Sequence, residues 1–155
     1  AALGADVRIL DADLRDEDAV LAAAGAVADV DVLVVDADAP FRDGGGGLPG
    51  LRLAVDGAWN AVRATVRTQW MGERGGAIVL LAPRAGAGEH ADAVRAALEN
   101  TARTVSTEWA RLSITPTAVL PGAATTQQEV DEVTAFLASP AGAYYSGCAF
   151  TLGAA

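Results

Sequence analysis

A chain of 155 residues, 52% apolar and 20% charged, is long enough for one compact domain with a real core and too short to expect two. Twenty acids face 11 basic residues, every one an arginine, and the resulting formal charge of -9 opposes any phosphate backbone, so no nucleic-acid partner is expected. The lone Cys148 permits no internal disulfide, and no uninterrupted apolar run approaches the roughly 20 residues of a membrane-spanning helix. A cytoplasmic protein with no membrane partner is the expectation. The chain opens Ala1-Ala2-Leu3-Gly4-Ala5-Asp6, without a methionine, a basic leader or an apolar signal core, and reads as trimmed rather than targeted.

Residues 7–10, Val-Arg-Ile-Leu, predict a first short strand, followed by an acid cluster and a helix over residues 19–27. Residues 30–35 are β-branched and nearly continuous in apolar character, as suits a strand covered on both faces in a parallel sheet. Residues 36–50 carry Pro40, Pro49 and four consecutive glycines, and are expected to form a loop with no regular element. Leu51, Val55, Trp59, Val62, Val66 and Trp70 recur at three- and four-residue steps, which predicts one face of a long helix. A buried strand is expected at residues 77–81. A second long helix should carry Ala91, Val94, Leu98, Thr101, Val105, Trp109 and Leu112 on one face. A strand at 114–120 follows. Thr126-Gln127-Gln128-Glu129 matches a capping box that opens a helix running to about Ala138, before Pro140. A last strand is expected at 148–152, with Cys148 as a small buried residue in it. This alternation predicts parallel βαβ units in a three-layer α/β sandwich, a Rossmann-like parallel sheet in a single domain over residues 1–155.

Several short runs carry a resemblance. Asp13-Leu14-Arg15-Asp16, Val30-Asp31-Val32-Leu33-Val34, Gly76-Ala77-Ile78-Val79, Arg95-Ala96-Ala97-Leu98, Glu108-Trp109-Ala110 and Pro121-Gly122 with Thr126 stand in order along the chain. Phe136-Leu137-Ala138-Ser139-Pro140 and Tyr145-Ser146-Gly147 complete the series. In order and spacing they resemble the short-chain dehydrogenase/reductase family, from the first residues to the last. The resemblance implies a Rossmann sheet that here lacks the first two βα units, and a nicotinamide dinucleotide, NAD or NADP. It also implies a Ser-Tyr-Lys triad with a supporting Asn, in which tyrosine exchanges a proton with substrate, lysine lowers its pKa, serine orients the carbonyl and asparagine holds a relay water.

Carried over residue by residue, that machinery is not intact. The lysine position holds Arg95, the tyrosine position Ala91, the serine position Pro83 or, with slippage, Ala82, and the asparagine position Ala54. An alanine methyl moves no proton, and a guanidinium stays protonated where an ammonium would titrate. The glycine-rich cofactor turn of the family lies upstream of this chain's first strand, and the Asn-Asn-Ala-Gly motif after the fourth strand reads Val35-Asp36-Ala37-Asp38, whose carboxylates repel a pyrophosphate. Possible cofactor remnants are Asp13, at the position that meets adenine, and Pro121, Gly122 and Thr126 near the nicotinamide position. The same four residues also suit purely structural roles. No cofactor is expected for this chain alone.

Two glycine patterns imitate the missing turn. Gly45, Gly47 and Gly50 satisfy G-x-G-x-x-G only within a glycine run, and Gly86-Ala87-Gly88-Glu89-His90-Ala91 lacks an acid after a second strand, so both read as loops. His90 with Glu89 and Asp92 reads as a solvated helix start before it reads as an acid/base or metal group, and Asp36, Asp38 and Asp43 read as a solubilising loop before a cation site; no metal is expected. Trp59, Trp70 and Trp109 are expected in packing or at a subunit interface. The family builds subunit interfaces from its two long helices, so residues 51–72 and 91–112 are the expected association surface, in a homo- or hetero-oligomer. Three functions remain open: a non-catalytic subunit acting through association with itself or an active relative; an NAD(P)-dependent oxidoreductase whose cofactor loop lies upstream; and a small-ligand module using a vacated, alanine-lined pocket. The sheet edge left by the missing strands implies a fragment of a longer protein, a partner that supplies those strands, or residues 7–10 pairing directly beside 30–35; a fragment or truncated subunit is the expectation.

Overall fold

The computed structural model describes residues 4–72 and 74–153; the reading of the first three residues as a trimmed start lies outside them. Four strands form one sheet in the order β1-β2-β3-β4, with β1 at Val32–Asp36, β2 at Gly76–Leu81, β3 at Ile114–Pro121 and β4 at Ala149–Leu152. Every pair is parallel, with Val34 beside Val79, Val79 beside Thr117, and Val119 beside Phe150. Five α-helices accompany them: α1 at Glu17–Ala26, α2 at Asp38–Asp43, α3 at Leu48–Thr65, α4 at Ala91–Glu108 and α5 at Gln127–Leu137.

The layers follow from alternation along the strands. Val35, Ile78, Leu80, Ala118 and Leu120 face a core completed by Ala54, Ala58, Ala61 and Val62 of α3 and by Val94, Leu98, Ala102 and Val105 of α4. Their neighbours Val79 and Val119 point the other way, into a smaller cluster with Leu137 of α5. Helix α1 packs on α3, its Val20 and Ala24 against Ala64, together with Leu10, Ala12 and Leu14. The strand order advances in one direction throughout, yet α3 and α4 lie on one face and α5 on the other. The β3-α5-β4 connection is therefore of opposite hand to the two before it, against the right-handed rule for parallel crossovers.

Most expected elements are present, with shifts of one to three residues at their ends. Residues 7–10 are the exception: they join no sheet among the described residues, with Val7 69% and Ile9 90% exposed. A lone four-residue run gains nothing as a strand without a neighbour to bond, and Leu10 instead anchors the segment on the α1 cluster. The direct pairing with residues 30–35 is likewise not formed, and β1 is the edge of the sheet. The stretch 36–50 also departs from the expected loop. Both prolines sit in first helical turns, where an N–H has no intrahelical acceptor to lose: Pro40 in α2 and Pro49 in α3. Only the glycines between the helices are irregular, with Gly45 and Gly46 at φ +77 and +69. Cys148 is exposed rather than buried, because it precedes β4, its carbonyl accepting from the Ala118 N–H while its side chain stays outside.

The α5 start matches its sequence signature: the Thr126 hydroxyl accepts from the Glu129 N–H and the Glu129 carboxylate accepts from the Thr126 N–H. These bonds hold the Glu129 pKa below its ordinary value, first through the backbone N–H and then the hydroxyl. Helix α3 ends in a π-turn, Val66–Trp70, that turns the Trp70 indole inward. There Trp70 is fully buried and its Nε1–H donates to the Val30 carbonyl at 2.7 Å. The ring lies against Gly76 at the start of β2, where a Cβ would come within 2.2 Å of it. Gly76→Ala should therefore destabilise the fold by about 1–3 kcal/mol through overpacking, read as a lower urea midpoint at unchanged slope; an unchanged midpoint would refute the contact.

Candidate functional site

In an open parallel sheet, chemistry is expected at the carboxyl ends of the strands. Here those ends are tied together by Arg95, one turn into α4. Its Nη1 donates to the Pro83 carbonyl at 2.8 Å and the Pro121 carbonyl at 2.6 Å, and Nη2 reaches the Leu120 carbonyl at 3.4 Å. Only 13% of the side chain is exposed, and its one acidic neighbour, Asp92, stands 3.8 Å from Nε. Burial pulls the guanidinium pKa below the usual arginine value, with the Asp92 charge opposing the shift. The cation bridges the segment after β2 and the end of β3.

The residues expected at the other proton-transfer positions are buried as well. Ala54, Ala82 and Ala91 are 0–2% exposed and Pro83 is fully buried. The three alanines belong to the main core cluster, so they line no open pocket, which corrects the expected alanine-lined ligand cavity. One residue of this cluster is unremarked in the sequence. Phe41 of α2 is fully buried in the same cluster, its ring edges close to Gly46 and Gly50. Its place inside a stretch read as loop hid it, although a Pro-Phe pair within a polar, glycine-rich run is a signal of an anchored aromatic.

The two glycine patterns meet over this plug. A Cβ on Gly88 would lie 2.7 Å from the Gly46 carbonyl oxygen, and the His90 N–H points to that same oxygen at 3.4 Å. A Cβ on Gly50 would lie 2.4 Å from the Phe41 carbonyl oxygen. The glycines thus serve close main-chain packing between the loops after β1 and β2.

The positions aligned with cofactor contacts have their polar groups engaged inside the chain. Asp13 accepts from Arg15 through the main-chain N–H at 3.0 Å, Nε at 2.9 Å and Nη2 at 2.8 Å, and the side-chain bonds, then the backbone bond, lower its pKa to about 2. The Pro121 carbonyl takes Arg95 and the Ala85 N–H. The Gly122 N–H donates to the Leu152 carbonyl and the Thr125 hydroxyl, each at 2.8 Å, and a Cβ there would strike the Gly153 carbonyl oxygen. Thr126 is committed to its capping box. Arg84, also unremarked in the sequence, donates to the Thr125 carbonyl beside them. Asp36 accepts from the Asp38 N–H, and the Asp38 carboxylate pairs with Arg42 at 2.9 Å. These residues do not fit a nicotinamide dinucleotide.

His90 precedes α4 without a side-chain cap, beside the exposed Glu89 and Asp92. Among the described residues, no group of three or more His, Cys, Asp or Glu is arranged to hold a metal ion. An open groove of about 850 Å³ lies away from the strand ends, between the 15–17 turn and α3, with Arg52, Asp56, Trp59 and Asn60 on its wall. Trp59 is 41% exposed there and stacks on Trp109 of the α4 end, ring centroids 5.9 Å apart.

No protein-family model matches the chain. No curated protein matches it either. Solved structures do. A citronellol catabolism dehydrogenase of Pseudomonas aeruginosa superposes with a TM-score of 0.74 at 24% identity, over 97% of this chain and 73% of its own. BdcA of Escherichia coli gives 0.68 at 26% identity, over 91% and 70%. A Sinorhizobium meliloti protein described as a short-chain alcohol dehydrogenase gives 0.66 at 26% identity, over 92% and 73%. The fold is that of the short-chain dehydrogenases. The short-chain dehydrogenase fold accounts for the four parallel strands and their helices, and the chain spans about three-quarters of these relatives' length.

Arg95→Met should cost about 2–4 kcal/mol, because removing the donor takes a charged partner from the Pro83 carbonyl and from the end of β3, and Arg95→Lys should recover only part of it in urea titrations. Equal stability of all three proteins would contradict the brace. The Asp13 pair contributes stability that is complete above the carboxyl's ordinary value of 3.8 and is lost as pH falls through about 2. Carboxyl NMR should follow Asp13 titrating near 2, and Arg15→Ala should return it toward 3.8.

Proposed function

We propose that this chain is a non-catalytic, cytoplasmic subunit of short-chain dehydrogenase type that acts by associating with itself or with an active relative. The observation carrying this reading is Arg95, whose guanidinium, at the position of the family's lysine, is bound to three main-chain carbonyls rather than facing an open cleft. Around it, Ala54, Pro83 and Ala91 supply no hydroxyl, phenol or amide, and Phe41 fills the space beneath the glycine loops. A carbonyl substrate would find neither a proton donor nor room. The engaged polar groups of Asp13, Pro121, Gly122 and Thr126 argue in the same direction for the cofactor.

Association is assigned to α3 and α4. The exposed face of α3 carries Arg52, Asp56 and Trp59 at successive turns, and the Trp59–Trp109 stack joins it to the end of α4. Exposed, partly stacked tryptophans flanked by both charge signs suit a protein interface. Among the described residues no helix is long and apolar enough to cross a membrane, which agrees with protein partners in solution.

The deciding experiment titrates the chain with NADH and NADPH by fluorescence and assays carbonyl reduction. Neither micromolar binding nor turnover is expected. Binding together with turnover would establish the competing reading, an NAD(P)-dependent oxidoreductase whose cofactor loop lies upstream of residue 1. For the surface, Trp59→Arg should weaken association at least tenfold in sedimentation equilibrium while leaving the thermal midpoint nearly unchanged; unaltered association would remove α3 from the interface.

A further inference from the structure

The outer face of α3 carries two opposite charges, one turn apart, that do not pair. Leu48, Arg52, Asp56 and Trp59 recur at three- and four-residue steps, which sets them on one stripe, and all four are exposed, Leu48 at 50% and Trp59 at 41%. Neighbouring arginines are engaged: Arg63 pairs with Glu17 and Arg42 with Asp38. Among the described residues neither Arg52 nor Asp56 enters an ion pair. An arginine four residues before an acid is the weaker orientation for a pair within one helix, so both charges are left to solvent. The rest of α3 is occupied. Helix α1 packs on Ala64, Trp59 stacks on Trp109 of the α4 end, and Ala54, Ala58 and Ala61 turn into the main core. The stripe lies opposite those alanines and faces away from the sheet, so strands added beyond β1 would extend a layer that it does not touch. All four residues line the open groove beside the 15–17 turn, which leaves room for a second element along α3.

We propose that the partner of this face is a second copy of the chain, its α3 lying antiparallel on this α3 about a two-fold axis midway between Arg52 and Asp56. The pairing rests on the α3 surface proposed above and gives it a partner and a register. The charges select both. In this arrangement Arg52 of each copy meets Asp56 of the other, so one surface satisfies its unpaired ions twice on an identical surface. Trp59 falls opposite Leu48 and Pro49, the exposed apolar start of the other helix. Its ring is already held by the Trp109 stack, so little side-chain freedom is lost on contact. Other registers bring like charges together. Sliding the antiparallel copies by one turn sets Asp56 on Asp56 in one direction and Arg52 on Arg52 in the other, and a parallel pair in register does both at once.

The test is sedimentation equilibrium on the unaltered chain, on Arg52→Asp, on Asp56→Arg and on an equimolar mixture of the two variants, with circular dichroism confirming that each is folded. The unaltered chain should dimerise. Each single variant, which sets like charges against each other at both contacts, should self-associate more weakly by roughly tenfold or more. The mixture should dimerise again, because one variant then presents two acids to the two arginines of the other. Single variants that dimerise as tightly as the unaltered chain would overturn the proposal, and so would a mixture no tighter than its components. A monomeric unaltered chain would overturn it while leaving association with an active relative standing. If Trp59→Arg weakens association and the charge variants do not, the α3 surface stands and this pairing falls.

Discussion

The carboxyl ends of β2 and β3 are held at a fixed spacing by the Arg95 guanidinium, and the neighbouring features follow from that constraint. Three carbonyls converge on one cation, the segment 82–85 is drawn against the end of β3, and α4 is seated with its first turn over Pro83. A lysine ammonium is a compact point charge with three donors, whereas the planar guanidinium can span two strand ends at once. The small side chains at 54, 82 and 91 and the Phe41 ring all pack in the main core cluster.

The glycine loops complete the same closure. Gly46 and Gly88 approach at main-chain distance, which two side-chain-bearing residues could not do, and the contact lies over Phe41. A run of four glycines loses more conformational entropy on folding than any other sequence of that length. That cost is consistent with a loop whose shape matters more than its local preference. The buried aromatic, the two glycine loops and the arginine are thus one packed arrangement, built from elements far apart in sequence.

The fold was largely legible in the sequence because periodicity reports burial directly. The capping box at Thr126, the apolar faces of α3 and α4 and the continuous strands at β2 and β3 each depend on local pattern alone. What escaped depends on neighbours. Residues 7–10 have strand composition, but strand formation needs a bonding partner that periodicity does not reveal. Pro40 and Pro49 read as breakers because their position within a first turn is invisible until the turn exists. Cys148 has the composition of a buried residue and sits one position outside the strand. That Arg95 would reach from the segment after β2 to the end of β3, and that Phe41 would be buried in the main core, required the tertiary arrangement.

The reversed hand of the β3-α5-β4 connection bears on the order in which the chain assembles. The two earlier crossovers place α3 and α4 on one face, so a three-stranded sheet with a single covered face can form from segments close in sequence. Helix α5 must then pass to the bare face, and β4 can add only after β3 is in place to receive it. The last fifth of the chain is in this sense a latch, closed by the Thr125 hydroxyl and the Gly122 N–H, which both bond the Leu152 carbonyl. Its departure from the sheet would uncover Val79 and Val119 while leaving the arginine-braced half assembled.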